Sequence, residues 1–103
     1  MPLPLHISYR GMPASPALEE RINEYASRLE KAHPRLASCR VGVEPCGHHH
    51  AHGRRFAVHV ELHSPDLPAV ITTRNEHEDV FVAARDAFDA ARRRLLDERA
   101  TRQ

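Results

Sequence analysis

Cysteine is scarce in this sequence: a chain of 103 residues carries two, Cys39 and Cys46. Small secreted domains depend on several disulfides, so this count excludes a disulfide scaffold. The first residues also lack the basic segment and long apolar stretch of a secretion signal. We therefore expect a reduced protein in the cytoplasm, with no bridge between its two cysteines.

Long apolar runs are missing too. No segment approaches the roughly 20 apolar residues that a membrane-spanning helix needs, which excludes a helical membrane protein. Apolar residues make up 41% of the chain and charged residues 28%, as in ordinary globular proteins. The length suits one hydrophobic core, so we predict a single domain over residues 1–103.

Catalytic motifs are absent as well. The four glycines form no phosphate-binding loop, and no serine stands in the G-x-S-x-G pattern of a nucleophile elbow. His77, Glu78 and Asp79 begin like the H-E-x-x-H zinc motif but lack its second histidine. We predict that the protein is not an enzyme and has no catalytic residue, no cofactor and no small-molecule substrate.

Two periodicities organise the chain. Apolar and polar residues alternate in three segments, as in strands that bury one face, and a fourth segment is rich in β-branched residues, which also favour strands. These segments are 5–9, 38–44, 55–63 and 69–74. Two other segments place apolar residues at helical spacing. The first begins at the capping residue Ser15, which Pro16 follows, and ends at His33; the second runs from Asp79 to about Arg99.

The order β-α-β-β-β-α predicts an α+β fold, a two-layer α/β sandwich similar to double-stranded-RNA-binding domains. The first two strands pair in parallel through a helical crossover, and the last three form an antiparallel meander, which makes a four-stranded mixed sheet. Both helices cover the apolar face. The other face is polar and meets water or a partner; it carries His6, Ser8, Arg10, Arg40, Glu44, Arg55, His59, Glu61 and His63.

The segment PCGHHHAHG, residues 45–53, connects the second and third predicted strands. Its chemistry leaves three interpretations open. Cys46 and the histidines are suitable zinc ligands, although adjacent histidines in a turn are poorly preorganised. The segment also suits a solvated hairpin tip. Finally, imidazoles that gain a proton beside an anion, followed by two arginines, suit a loop that contacts RNA. The candidate RNA contacts are His48, His49, His50, His52, Arg54 and Arg55.

Charge is nearly balanced but unevenly distributed. Fifteen basic residues face fourteen acidic ones, for a net charge of +1. Arg21 and Arg28 share one flank of the first helix with Lys31 beyond them, and a seven-residue spacing aligns Arg85, Arg92 and Arg99 on the second. Arginines near the end of a helix complement its dipole. Three consecutive ones, Arg92 to Arg94, point to different sides, which favours a helix end among phosphates.

Two segments carry a family resemblance: SPALEERINEYASRLEK at 15–31 and HEDVFVAARDAFDAARRRL at 77–95. In the predicted element order they resemble the ribosome hibernation-promoting factor and protein Y family, whose members are also described as sigma-54 modulation proteins. The likeness covers nearly the whole chain. Its most specific parts are the Ser-Pro helix start with residues 28–31, and residues 77–81 followed by Arg93 and Leu95.

The resemblance implies a function. Such a protein binds the small ribosomal subunit in the channel for messenger RNA and the A-site and P-site transfer RNAs, and blocks translation by occupancy during stress or stationary phase. It implies that Arg28, Lys31 and Arg93 contact ribosomal RNA. The charge argument adds Arg21, Arg85, Arg92, Arg94 and Arg99.

The sequence differs from the family in two ways, and one question about its function stays open. Ala90 and Asp97 stand where relatives often carry lysine, which predicts a lower affinity or a shift toward the arginine triplet and the histidine loop. Long members add a dimerisation domain that this sequence lacks, so we expect the short form and a monomer off the ribosome. Whether it pairs ribosomes or silences single ones stays open.

Two other function classes compete with this one. The first is a metal-responsive binding module that uses Cys46 and the histidines of 48–52. The second is a domain that binds another protein through its polar sheet face.

Overall fold

The protein is described here by a computed structural model that covers residues 3–47 and 54–101, with only the backbone of Arg99 and Thr101. It confirms the predicted element order and the α+β fold with a four-stranded mixed sheet. The elements are β1 (Leu5–Tyr9), α1 (Pro16–Ala32), β2 (Ser38–Cys46), β3 (Arg55–His63), β4 (Ile71–His77) and α2 (Val80–Thr101).

The sheet has the order β1-β2-β3-β4. β1 runs parallel to β2, and β2, β3 and β4 are antiparallel neighbours, as predicted. Since side chains alternate across a strand, this register collects residues of like character into rows. One row on the apolar face joins Ile7, Val41, Val60 and Thr73.

α1 begins and ends where its sequence predicts. The Ser15 hydroxyl oxygen accepts the backbone N–H of Leu18 at 3.3 Å, and Pro16 occupies the first turn, where its missing N–H is no loss. At the other end, the N–H of His33 donates to the carbonyl of Leu29 at 2.8 Å, and Pro34 prevents further helix. Of the apolar residues at helical spacing in α1, Leu18, Ile22 and Leu29 are buried in the core.

α2 begins one residue later than predicted, because Asp79 is its cap rather than its first residue. The Asp79 carboxylate accepts the N–H of Phe81 at 2.9 Å, and its carbonyl accepts that of Ala83 at 3.0 Å. The buried side of α2 is rich in alanine, which brings the helix close to the sheet. There the buried hydroxyl of Thr73 donates to the carbonyl of Ala87 at 2.9 Å.

Two strands extend beyond their predicted ends. β2 continues to Cys46, and β4 covers Ile71–His77 instead of 69–74. Pairing with β3 explains both shifts, since Phe56 lies opposite Pro45 on one side and His77 on the other. Val70, which was predicted in the strand, precedes it and is 43% exposed.

The core lies between the sheet and the helices, and its side chains come from both layers. The largest fully buried ones are Leu18, Ile22, Val41, Val43, Val58, Val60, Leu62, Ile71 and Leu95. The sheet face away from the helices is polar, as the alternation predicts. Neither described helix is long and apolar enough to cross a membrane.

Candidate nucleic-acid interface

α1 and α2 lie side by side on the sheet, and a groove of about 410 Å³ runs between them. Four of its lining residues are predicted basic site residues, two from each helix: Arg21, Arg28, Arg85 and Arg92. Each pair is seven residues apart, so each repeats on one flank of its helix. The sequence predicted two separate stripes, and the fold joins them as opposite walls of one groove.

The groove floor is apolar and the walls are mixed. Tyr25, Leu29 and Phe88 line the floor. Glu24 and Asp89 are the acidic members of the lining, so four guanidinium groups stand against two carboxylates. The net potential in the groove therefore favours an anion.

Three of the four guanidinium groups have weak intramolecular partners. The guanidinium carbon of Arg21 lies 5.8 Å from the ring centroid of Phe81, a cation–π distance. Arg28 is 4.0 Å from the Glu24 carboxylate and Arg85 is 3.2 Å from that of Asp86, both on the exposed surface. Exposed ion pairs of this kind contribute about 0–1 kcal/mol, so a phosphate can displace them at little cost.

The arginine triplet points three ways, as predicted. Arg92 enters the groove, and Arg93 is exposed outside its lining. Arg94 turns toward the sheet, where its guanidinium donates to the carbonyl of Thr72 in β4 at 3.0 Å. Arg94 is thus occupied by the fold, while its two neighbours face outward.

Two further basic residues were predicted as contacts, Lys31 and Arg99. Lys31 is exposed in the last turn of α1. Arg99 belongs to α2, but its side chain lies outside the described part of the chain.

The histidine loop cannot be placed, because His48, His49, His50 and His52 lie outside the described residues. Arg54, which follows them, is exposed. Arg55 turns to β4 instead, with its Nε 3.7 Å from a carboxylate oxygen of Glu76. Within 3–47 and 54–101, no three His, Cys, Asp or Glu side chains are grouped as metal ligands.

Sequence reasoning missed a polar cluster formed by Cys46, Arg55, Arg74 and Glu76. Glu76 of β4 is ion-paired with Arg74, whose hydrogen bond and charge hold the pKa of the carboxyl below its usual value. Burial, followed by the charge of Glu76, raises the pKa of the Cys46 thiol. The cluster was missed because β4 was predicted to end at residue 74, which left Glu76 off the sheet.

The polar sheet face carries a second hollow, of about 490 Å³, with Gly42 at its base. Two histidine–glutamate contacts lie on this face: His59 to Glu44 at 3.3 Å and His63 to Glu61 at 2.7 Å. Residues that were predicted to project from the polar sheet face therefore do lie together on it, but acidic and basic side chains alternate there. It lacks the excess of guanidinium groups that characterises the helix groove.

Comparison with known proteins decides the family. The family model described as "Sigma 54 modulation protein / S30EA ribosomal protein" matches residues 5–103. The chain belongs to this family. Members of the S30EA family are ribosome-associated factors without enzymatic activity, which agrees with the absence of catalytic motifs in the sequence.

Two solved structures share the fold of this S30EA family member. A ribosomal subunit interface protein from Coxiella burnetii has a TM-score of 0.80 and 14% identity, with 95% of this chain and 99% of that chain covered. The N-terminal domain of Thermus thermophilus Protein Y has a TM-score of 0.71 and 15% identity, with 91% and 94% covered. A comparison with curated proteins finds no match.

Proposed function

We propose that the protein is a ribosome hibernation factor that binds the small subunit in the channel for messenger RNA and the A-site and P-site transfer RNAs. It inhibits translation by steric exclusion, because a folded domain in that channel leaves no room for either RNA. One observation carries the proposal: four arginines from two helices converge on a single groove, with Arg93 exposed beside it.

Arginine and phosphate chemistry supplies the binding free energy. A guanidinium group donates two parallel hydrogen bonds to a phosphate and stays charged at any physiological pH. α1 and α2 pack on one sheet, so the backbone positions from which these side chains extend are fixed before binding. Each phosphate contact releases counterions, and affinity therefore falls as salt rises.

The biological setting follows from the same proposal. The protein is a cytoplasmic monomer off the ribosome and binds the small subunit during stress or stationary phase. The exposed Lys31 and Arg54 extend the RNA-contact surface beyond the groove.

Co-sedimentation with purified small subunits over a salt series tests the proposal. We expect Arg92→Glu/Arg93→Glu to lower the pelleted fraction at every salt concentration. The slope of log affinity against log salt should become shallower by about two, since two phosphate contacts are lost.

The matched control is Arg10→Glu/Arg40→Glu, which makes the same change in net charge on the polar sheet face. Binding by this variant should stay close to that of the wild type. If both variants lose binding equally, net charge rather than the groove governs binding. The proposed mechanism is wrong if the pelleted fraction changes neither with salt nor with either pair of substitutions.

A further inference from the structure

The groove between the helices has a floor that phosphate contacts leave unused. The Tyr25 ring is half-buried and packs against Phe88 with ring centroids 5.5 Å apart and a 41° tilt. Leu29 closes the floor beside them and is 4% exposed. Phe88 is also 4% exposed, so Tyr25 presents most of the apolar surface of the floor, and a ligand that covers its ring gains free energy that a phosphate cannot supply.

The shape and charge of the groove together restrict the occupant. Guanidinium groups stand on both walls and apolar rings lie between them, so a matched ligand combines a flat apolar body with flanking negative charge. A nucleotide within an RNA chain has this composition. The groove volume of about 410 Å³ falls in the range of small-ligand sites, which begins at roughly 300 Å³.

A regular RNA duplex cannot fill such a floor. Its phosphates reach a protein surface, but its bases remain stacked inside the helix. Bases in bulges and loops are unstacked, and proteins commonly stack them on aromatic rings or arginine planes.

We propose that the groove takes one unstacked base of an RNA chain against Tyr25, while arginines on both walls hold the adjoining phosphates. The partner is therefore structured RNA at a bulge or loop, rather than regular duplex. This inference rests on the proposed function and names the local RNA feature that the site selects. Arg21 is positioned for this role by its contact with the Phe81 ring, which keeps the guanidinium beside the groove.

Two RNA hairpins of equal length test the proposal, one fully paired and one with a single-nucleotide bulge. The bulged base is 2-aminopurine, whose fluorescence falls when it stacks on a ring. We expect the bulged hairpin to bind about tenfold more tightly than the paired one, in line with the contribution of one base–aromatic stack. Fluorescence should fall on binding.

Tyr25→Leu is the decisive variant, because leucine keeps the floor apolar but removes the stacking ring. It should lose the preference for the bulge and the fluorescence change, while its salt dependence stays that of the wild type. The control is Tyr9→Leu, which removes the other tyrosine of the chain, on β1. It should keep both properties, and thermal unfolding of each variant verifies that it is folded.

The outcomes separate the inference from the proposed function. Equal affinity for the two hairpins, or a bulge preference that survives Tyr25→Leu, overturns the inference while small-subunit binding can still stand. If the wild-type protein binds neither hairpin and does not pellet with the small subunit, both the inference and the proposed function are wrong.

Discussion

At the scale of single residues, the two cysteines of β2 differ because they lie on opposite sheet faces. Cys39 is 1% exposed in the core, and burial raises its pKa to about 12. Cys46 is half-exposed near Glu76. The thiolate is the reactive species, so a buried thiol that resists ionisation is inert.

We predict that a thiol reagent such as Ellman's reagent titrates one thiol in the folded protein and two after unfolding. Because the pKa of Cys46 is also raised, its reaction should accelerate as the pH increases above neutrality. Cys46→Ser is the control and should leave the folded protein unreactive. Rapid reaction of two thiols without denaturant would contradict the buried position of Cys39.

The lowered pKa of Glu76 predicts how the stability of the fold depends on pH at the acidic end. Its pKa is lowered in the folded protein, chiefly by the hydrogen bond from Arg74 and by the charge of that residue. The stabilisation is present above the ordinary carboxyl pKa of about 4.3 and disappears as the pH falls through the lowered folded value. Glu76→Gln should therefore lose less stability than the wild type between about pH 5 and pH 3.

Urea unfolding at several pH values measures this difference. Glu78→Gln is a matched control, since Glu78 is exposed two residues further along the chain. Parallel pH profiles for the wild type and Glu76→Gln would show that the Arg74 contact does not stabilise the fold.

At the scale of elements, the start of α2 depends on one side chain. Asp79 accepts the N–H of Phe81, and its own N–H donates to the ring Nδ1 of His77. Asp79→Ala leaves a helix amide without its partner, so we expect the free energy of unfolding to fall by about 1 kcal/mol. Chemical denaturation measures it.

Glu78→Ala, one residue earlier, serves as the control and should change stability by less than about 0.5 kcal/mol. An Asp79→Ala protein as stable as the wild type would mean that the helix is fixed by packing alone.

Elements were predicted well wherever one face is buried, because burial on one side imposes a period that the sequence displays. The ends of β4 were not, since they depend on its register with β3, which the residue pattern within one strand does not reveal. The groove was not predicted either, because it depends on how the two helices pack together. Seven-residue spacing places Arg85 and Arg92 on one flank, but nothing in that spacing reveals which residues of α1 they face.

Tyr25 illustrates the same limit of prediction from the sequence at a single residue. Its helical spacing from Ile22 and Leu29 predicts burial, and contact with Phe88 leaves its ring only half-buried. Its remaining surface lines the groove. Periodicity identifies the side of a helix that faces the core, but it does not separate residues of the core from residues that line a groove at its margin.

At the scale of the whole molecule, function depends on how charge is arranged rather than on its sum. The chain has a net charge of +1, yet the helix groove gathers guanidinium groups while the sheet face alternates acids and bases. Strongly basic partners of RNA gain much of their affinity from overall charge. Under the proposed function, this protein gains its affinity for RNA from geometry instead.

The gathering of guanidinium groups on one side also predicts how the protein would approach the proposed RNA target. At physiological salt, charges are screened beyond about 8 Å, so a nearly neutral domain is scarcely attracted from afar. Within that range the uneven distribution of charge produces a torque, which turns the domain until its helices face the RNA. Collisions are then no more frequent than for a neutral protein, but a larger share of them arrive in the productive orientation.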